Sequence, residues 1–133
     1  MTESGTDRKT LFDYAYESYG TRPEYLWEKD LDSAVLRHSD NEKWYAVVMK
    51  IPRSKIALQG SEPVDIAVMK SNPILIGSLI DNVKYFKAYH MNKEQWLTVL
   101  LDGSVPKAEV FDLLDLSFEL TGKKVKKRRE SDW

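Results

Sequence analysis

Residues 43–51 read KWYAVVMKI, with apolar side chains at six successive positions from Trp44 to Met49. Successive side chains of an extended chain point to opposite faces, so this run puts apolar groups on both sides of a sheet. Such a strand belongs in the interior of a sheet that is covered on each face. The segment therefore predicts a central strand over Lys43–Ile51, with Trp44 and Val48 largely buried. Pro52 ends it, because proline has no N–H to give to a ladder. Just upstream, Asp40–Asn41 predicts a turn and Ala34–His38 a shorter strand. Downstream, Lys55–Leu58 is expected as a short edge piece. Val64–Lys70 alternates, with Val64, Ile66 and Val68 facing one way.

The helices flank this β-rich middle. Ser71–Asn72–Pro73 places asparagine at an N-cap and proline at the first helical position, a preferred helix opening. Leu75, Ile76, Leu79, Ile80 and Val83 are expected to form the buried stripe that follows. Farther on, Asn92 is expected to cap a single turn with Gln95 answering it. Trp96–Leu101 is the next strand and Asp102–Gly103 a tight turn. Pro106 opens a last helix that runs to Thr121 and stops at Gly122. Its apolar positions, among them Leu113, Leu116 and Leu120, are too wide for one contact, which predicts partial exposure or a homodimer seam. Glu109, Asp112, Asp115 and Glu119 form its polar strip, expected to be solvated. At the other end, residues 1–7 are small and polar and are expected to be a disordered terminus. Arg8–Tyr19 is a helix with Asp7 as its cap and Gly20 just past its end. Helix, strands, helix, strand, helix in one domain over residues 8–122 predicts an α+β fold, an antiparallel sheet packed against helices.

Composition agrees with a globular chain: 133 residues, 42% hydrophobic and 31% charged. A chain of this length buries about two-thirds of its unfolded surface. The absence of cysteine excludes a disulfide framework and favours a reducing, cytoplasmic compartment. MTESGTDRK holds no apolar signal-peptide core, and apolar runs such as Ala46–Met49 are far too short to span a bilayer. A soluble protein without membrane attachment is expected. Charge is unevenly placed. Residues 1–122 hold 14 basic against 19 acidic groups, a formal −5, and Lys123, Lys124, Lys126, Lys127, Arg128 and Arg129 then form a +6 patch. With Val125 as the one apolar residue of Lys123–Arg129, this tail (residues 123–133) is expected to lack packed structure. Three fates are open to it: folding back on the acidic strip, reaching outward to nucleic acid, or, as the simplest expectation, remaining merely solvated.

Catalytic chemistry has little to stand on. Two histidines and no cysteine leave no HExxH zinc site and no Cys/His nucleophile. Six glycines form neither GxGxxG nor GxxxxGK[ST], so no phosphate-cradling loop is readable. No metal site, cofactor or catalytic residue is expected, and the chain is read as non-enzymatic. His90 is the one tempting residue, since an ordinary imidazole titrates near neutrality (about 6.5). The simpler expectation is that it hydrogen-bonds a neighbouring backbone group and fixes its loop to the sheet.

Three stretches resemble the MmcQ/YjbR family. AYHMNKEQWLTVLLDGSVP at residues 88–106 looks like its signature segment. YLWEKDLDSAVLRHSDNEKWYAVVMK at residues 25–50 resembles its strand-turn-strand, and VDIAVMKSNPILIGS at residues 64–78 is the third match. The resemblance implies a double-wing α+β fold similar to a DNA-binding domain of a phage transcription factor. Ser71–Asn72 stands where relatives often show a cysteine and an aspartate, and the basic tail has no counterpart.

A DNA-binding domain is thus one expectation. Its candidate contacts are Lys50, Arg53 and Lys55 at the end of the central hairpin, and Lys84, Lys87 and Lys93 around the signature loop. His90 and Asn92 add hydrogen-bonding groups, and the six cations of the tail complete the set. Each could equally be an ordinary solvated residue balanced by nearby acids. A different class of function also stands, a protein-interaction or small-ligand module built on Tyr85, Phe86, Tyr89 and Trp96. Clustering of Arg53, Lys55, Lys84, Lys87 and Lys93 on one concave face clear of acids would favour DNA. Scattering would count against it.

Overall fold

The computed structural model describes residues 5–122. Five strands form one antiparallel sheet in the order β2-β3-β4-β6-β5. They are β2 (Ala34–Arg37), β3 (Trp44–Pro52), β4 (Pro63–Lys70), β5 (Tyr85–Lys87) and β6 (Trp96–Leu100). The expected central strand is β3, held between β2 and β4 with Val47 opposite Val35 on one side and Val68 on the other. Val48 is fully buried, but Trp44 is only half-buried, because it stands where the β2–β3 register shifts and packs edge-on against Trp27.

The two faces of the sheet are covered differently. On one lie α1 (Arg8–Tyr19) and α3 (Lys107–Thr121), with α2 (Pro73–Leu79) beside them. Ala46 and Val48 of β3, Ala67 and Met69 of β4 and Leu97 and Val99 of β6 meet Leu11, Val110 and Leu114 there. The opposite face gathers Ile51, Val64, Ile66, Val68, Phe86 and Leu100 beneath loops, with no helix among the described residues longer than the single 3-10 turn Arg53–Ile56. Strand alternation produces this partition, and the alternation of Val64, Ile66 and Val68 reports it correctly.

Polar groups fasten α3 to the sheet. Ser117 Oγ accepts the Lys70 N–H at 2.9 Å and donates to the Tyr45 carbonyl at 2.6 Å. Thr121 spends its single hydroxyl hydrogen on the Ser117 carbonyl at 2.7 Å, so the buried His38 Nε2–H donates to Thr121 Oγ1 at 2.9 Å. Asn41 Nδ2 donates to the Thr121 carbonyl at 3.0 Å, satisfying one of the carbonyls a helix end leaves open. Burial lowers the His38 pKa against its ordinary value, nearby Lys43 adding to the shift and Asp40 opposing it. The Tyr45 hydroxyl is pushed up to about 12, again by burial.

Several local expectations change. Gly5–Asp7, assigned to a loose terminus, is β1, paired with β7 (Asp102–Pro106). The two backbones lie so close that a Cβ on Gly5 would stand 1.7 Å from the Gly103 carbonyl oxygen. Asp102–Gly103 opens β7 rather than forming an isolated turn, with Gly103 at a φ of 92°. Lys55–Leu58 is not an edge strand, since Arg53–Ile56 coils into the 3-10 turn and Ala57 turns left-handed after it. Tyr85–Lys87, not foreseen as a strand, is the edge strand β5. Asn72 does cap α2, its Oδ1 accepting the Leu75 N–H at 2.8 Å. The helix stops at Leu79, however, and of its expected stripe only Ile76 is buried while Val83 is exposed.

The acidic strip of α3 is also not uniformly solvated. Asp115 is half-buried and accepts the hydroxyls of Tyr14, at 2.8 Å, and Tyr19. Their rings stack on Phe111 and Phe118 at 3.9 and 3.8 Å, clasping α1 to α3. Of the expected seam, Leu113 is buried within the chain, Leu116 is half-buried and Leu120 is exposed. The basic tail, residues 123–133, lies outside the described residues.

Candidate nucleic-acid interface

The loop-covered face carries the candidate cations. Three short segments converge on it, and each is held by its own backbone. Ile56, buried under the 3-10 turn, anchors that turn against Phe86 and Ala88 and so delivers Lys55. Lys87 ends the edge strand β5. The loop between β5 and β6 reverses at His90, whose φ of 65° is left-handed, and closes in a turn at Asn92. Asn92 Oδ1 accepts the Glu94 N–H at 2.8 Å and its carbonyl accepts the Trp96 N–H at 2.9 Å. Two further bonds fix the loop to its neighbours: Tyr89 N–H to the buried Thr98 Oγ1 at 3.0 Å, and Lys93 Nζ to the Ala88 carbonyl at 3.2 Å.

Between these segments lies a cleft of about 450 Å³. Its floor is Ile56, Phe86 and Ala88, and Lys55, Lys87, Lys93 and His90 surround it, with no carboxylate among the lining residues. Ammonium groups over an apolar floor, with no lining carboxylate, make this cleft basic within a domain of negative overall charge. His90 does not fix the loop as expected, because its ring packs edge-on against Tyr89 and makes no hydrogen bond among the described residues.

The other candidates separate from this group. Lys50 pairs with Asp65 at 3.2 Å, a carboxylate that also holds Arg8 at 3.0 Å. Arg53 pairs with Glu62 at 3.6 Å and donates to the Pro63 carbonyl at 3.4 Å. Lys84 does not line the cleft. It sits half-buried in a bend organised by Asp81, whose Oδ1 accepts the N–H groups of Val83, Lys84 and Tyr85 at 2.9, 2.9 and 3.0 Å. Those bonds, that from Lys84 foremost, hold the Asp81 carboxyl below the usual range. Asn92 is occupied as the turn cap. Lys123, Lys124, Lys126, Lys127, Arg128 and Arg129 lie outside the described residues. Thus three of the five cations that were to share one concave face do share it.

A second cleft of about 300 Å³ adjoins the first, with Tyr89 and His90 lining both. Its walls include Trp27, Trp44 and Met91, its floor Val47 and Met49, with Asp30 and Ser33 adding polar groups. Trp27 meets Trp44 edge-to-face, centroids 5.9 Å apart at 81°. Sequence reasoning passed over this cleft. The signal was the run Tyr25-Leu26-Trp27, all exposed in the structure, in a stretch without strand or helix. By contrast, Tyr85 and Phe86 of the expected aromatic surface are core residues. The Tyr85 hydroxyl donates to Glu109 at 2.5 Å, and burial pushes its pKa up, that carboxylate adding to the shift.

A larger cleft, about 870 Å³, lies elsewhere, beside the C-terminal end of α3. Asp40, Glu42 and Glu119 line it, and its Arg37 is already held by Glu24 at 2.7 and 2.9 Å. Size does not make it the better anion site.

A family model described as YjbR matches residues 17–120. The chain belongs to the YjbR family. One relative is the uncharacterized protein YyaQ of Bacillus subtilis (strain 168), 37% identical over 114 residues, 86% of this chain and 97% of YyaQ. A crystal structure of a Pseudomonas syringae protein is 47% identical, with a TM-score of 0.84 over 88% of this YjbR chain and all of that one. A Deinococcus radiodurans protein with a DUF419 domain, 22% identical, shares the fold alone, with a TM-score of 0.68 over 96% of this chain and 87% of that one. Among the described residues no helix is long and apolar enough to cross a membrane.

Proposed function

We propose that this YjbR domain is a non-enzymatic, cytoplasmic DNA-binding domain that contacts the phosphate backbone through Lys55, Lys87, Lys93 and His90. The observation that carries the reading is the convergence of these residues, from three separate segments, on one cleft without a lining carboxylate. Lysines at a groove can neutralise phosphates and release counterions, which is the sequence-independent part of nucleic-acid affinity, and a histidine beside them can add a hydrogen bond. Lys50 and Arg53 contribute less, because each already faces a carboxylate, Lys50 sharing Asp65 with Arg8 and Arg53 pairing with Glu62.

The test is fluorescence anisotropy with a labelled DNA oligonucleotide, single-stranded and as a duplex, across a range of salt. Replacing Lys55, Lys87 and Lys93 together by glutamine should weaken binding and make the slope of log affinity against log salt shallower by about 0.7–0.9 for each phosphate no longer neutralised. Lys50→Gln with Arg53→Gln should change it much less. Absence of binding to either DNA at low salt, or equal losses from the two sets of substitutions, would sink the reading.

A protein-interaction or small-ligand module is the second reading, favoured by the aromatic cleft at Trp27 and Trp44. Its signature is binding that barely changes with salt. Self-association through Leu116 and Leu120 is the related proposal for assembly, to be read by sedimentation of Leu120→Lys beside the parent chain.

A further inference from the structure

We propose that the two adjoining clefts together hold one unpaired nucleotide of a single strand and its flanking phosphates, the base in the Trp27–Trp44 cleft and the phosphates among Lys55, Lys87 and Lys93. This deepens the DNA-binding reading and rests on it.

Charge is segregated along the groove in the sense a nucleotide requires. One end has ammonium groups and no carboxylate, which suits phosphate. The other end is built from Trp27, Trp44, Val47, Met49 and Met91, with Asp30 as its carboxylate. A phosphate is repelled from Asp30, so the backbone stays at the lysine end. A base is not repelled. Asp30 already accepts the Ser33 hydroxyl at 2.5 Å and the Asp32 N–H at 3.3 Å. A carboxylate has about four acceptor positions, which leaves room for the exocyclic amino group of a base. Tyr89 and His90 line both clefts and so mark where base passes into backbone.

The exposed aromatic loop points to the same ligand. Trp27 is 37% exposed and Tyr25, two residues before it, 53%. Aromatic side chains left open beside a cationic groove form a stacking platform, on which every base presents a π-face. A base inside a duplex has both faces covered by its neighbours. Only an unstacked base can enter a cleft walled by indole rings. The occupant is therefore a single-stranded segment rather than an intact duplex.

The experiment compares the full chain with Trp27→Ala and Trp27→Phe, titrated with a single-stranded oligonucleotide of mixed sequence, the matching duplex and a mononucleotide. The single strand should bind more tightly than the duplex. Trp27→Ala should lower single-strand affinity on the order of tenfold, with little effect on the duplex, and Trp27→Phe should recover much of the loss. Quenching of tryptophan fluorescence by the single strand should diminish in Trp27→Ala. A duplex that binds as tightly as the single strand, or a Trp27→Ala loss equal for both, overturns the proposal and leaves the lysine cleft as a duplex site. A mononucleotide that binds as tightly as the oligonucleotide also overturns it. If none of the three binds at low salt, the DNA-binding reading itself falls.

Discussion

The sheet of this YjbR domain has one face packed by helices and one face covered by loops, and the difference separates stability from recognition. Under the helices, Leu11, Ala15, Val110 and Leu114 are fully buried against the sheet, and Ser117, Thr121 and Asp115 tie the helices to their neighbours with hydrogen bonds. On the loop side the core is smaller, and its edges open into clefts bordered by lysines and partly exposed tryptophans. A helix buries a continuous stripe, whereas loops cover a sheet in patches. Concave surface arises where the patches do not meet.

Five measurements test that division. Leu114→Ala, at a site with no exposure, should cost about 2–5 kcal/mol in chemical denaturation. Trp27→Ala on the loop side should cost under about 1 kcal/mol, since a partly exposed side chain leaves little cavity. Equal losses would erase the contrast between the faces. Ser117→Ala should cost about 1–3 kcal/mol, because it leaves the Lys70 N–H and the Tyr45 carbonyl without their bridging hydroxyl. A neutral result would mean the α3 fastening adds nothing to packing.

Asn72→Ala should cost about 1 kcal/mol through loss of the α2 cap. The smallest effect is a dependence on pH. The folded state holds His38 below its ordinary pKa, so the unfolded chain binds that proton more readily. The contribution of His38 is fully present above the unfolded value near 6.5, declines as pH falls below it, and is wholly lost below the folded pKa. His38→Gln should remove that part of the decline between pH 7 and 5 in denaturation midpoints. An unchanged pH profile would show that His38 titrates as though unfolded.

Much of the scaffold was legible because its signals are local. Asn72–Pro73 caps and opens α2 by contacts within four residues, and Gly122 ends α3 as read. The alternation of Val64, Ile66 and Val68 places them on one face without knowledge of any partner. The errors fall where a partner decides. Gly5–Asp7 becomes a strand only because β7 lies beside it, nearly a hundred residues away (Thr6 Oγ1 bonds the Val105 carbonyl, a separation of 99). Asp115 leaves the solvated strip because two tyrosines of α1 reach it.

The candidate site divides in the same way. Residue type alone named Lys55, Lys87, His90 and Lys93, since only cations and hydrogen-bonding groups can meet phosphate. It could not separate them from Lys50 and Arg53, whose ion pairs with Asp65 and Glu62 depend on pairing between β3, β4 and the segment joining them. Nor could it find the Trp27–Trp44 cleft, whose walls are contributed by residues 27–33, 44–49 and 89–91. Period, caps and composition act over a few residues, and they suffice for an α+β fold. A cleft is a property of the space between distant segments, and that space exists only once the chain has folded.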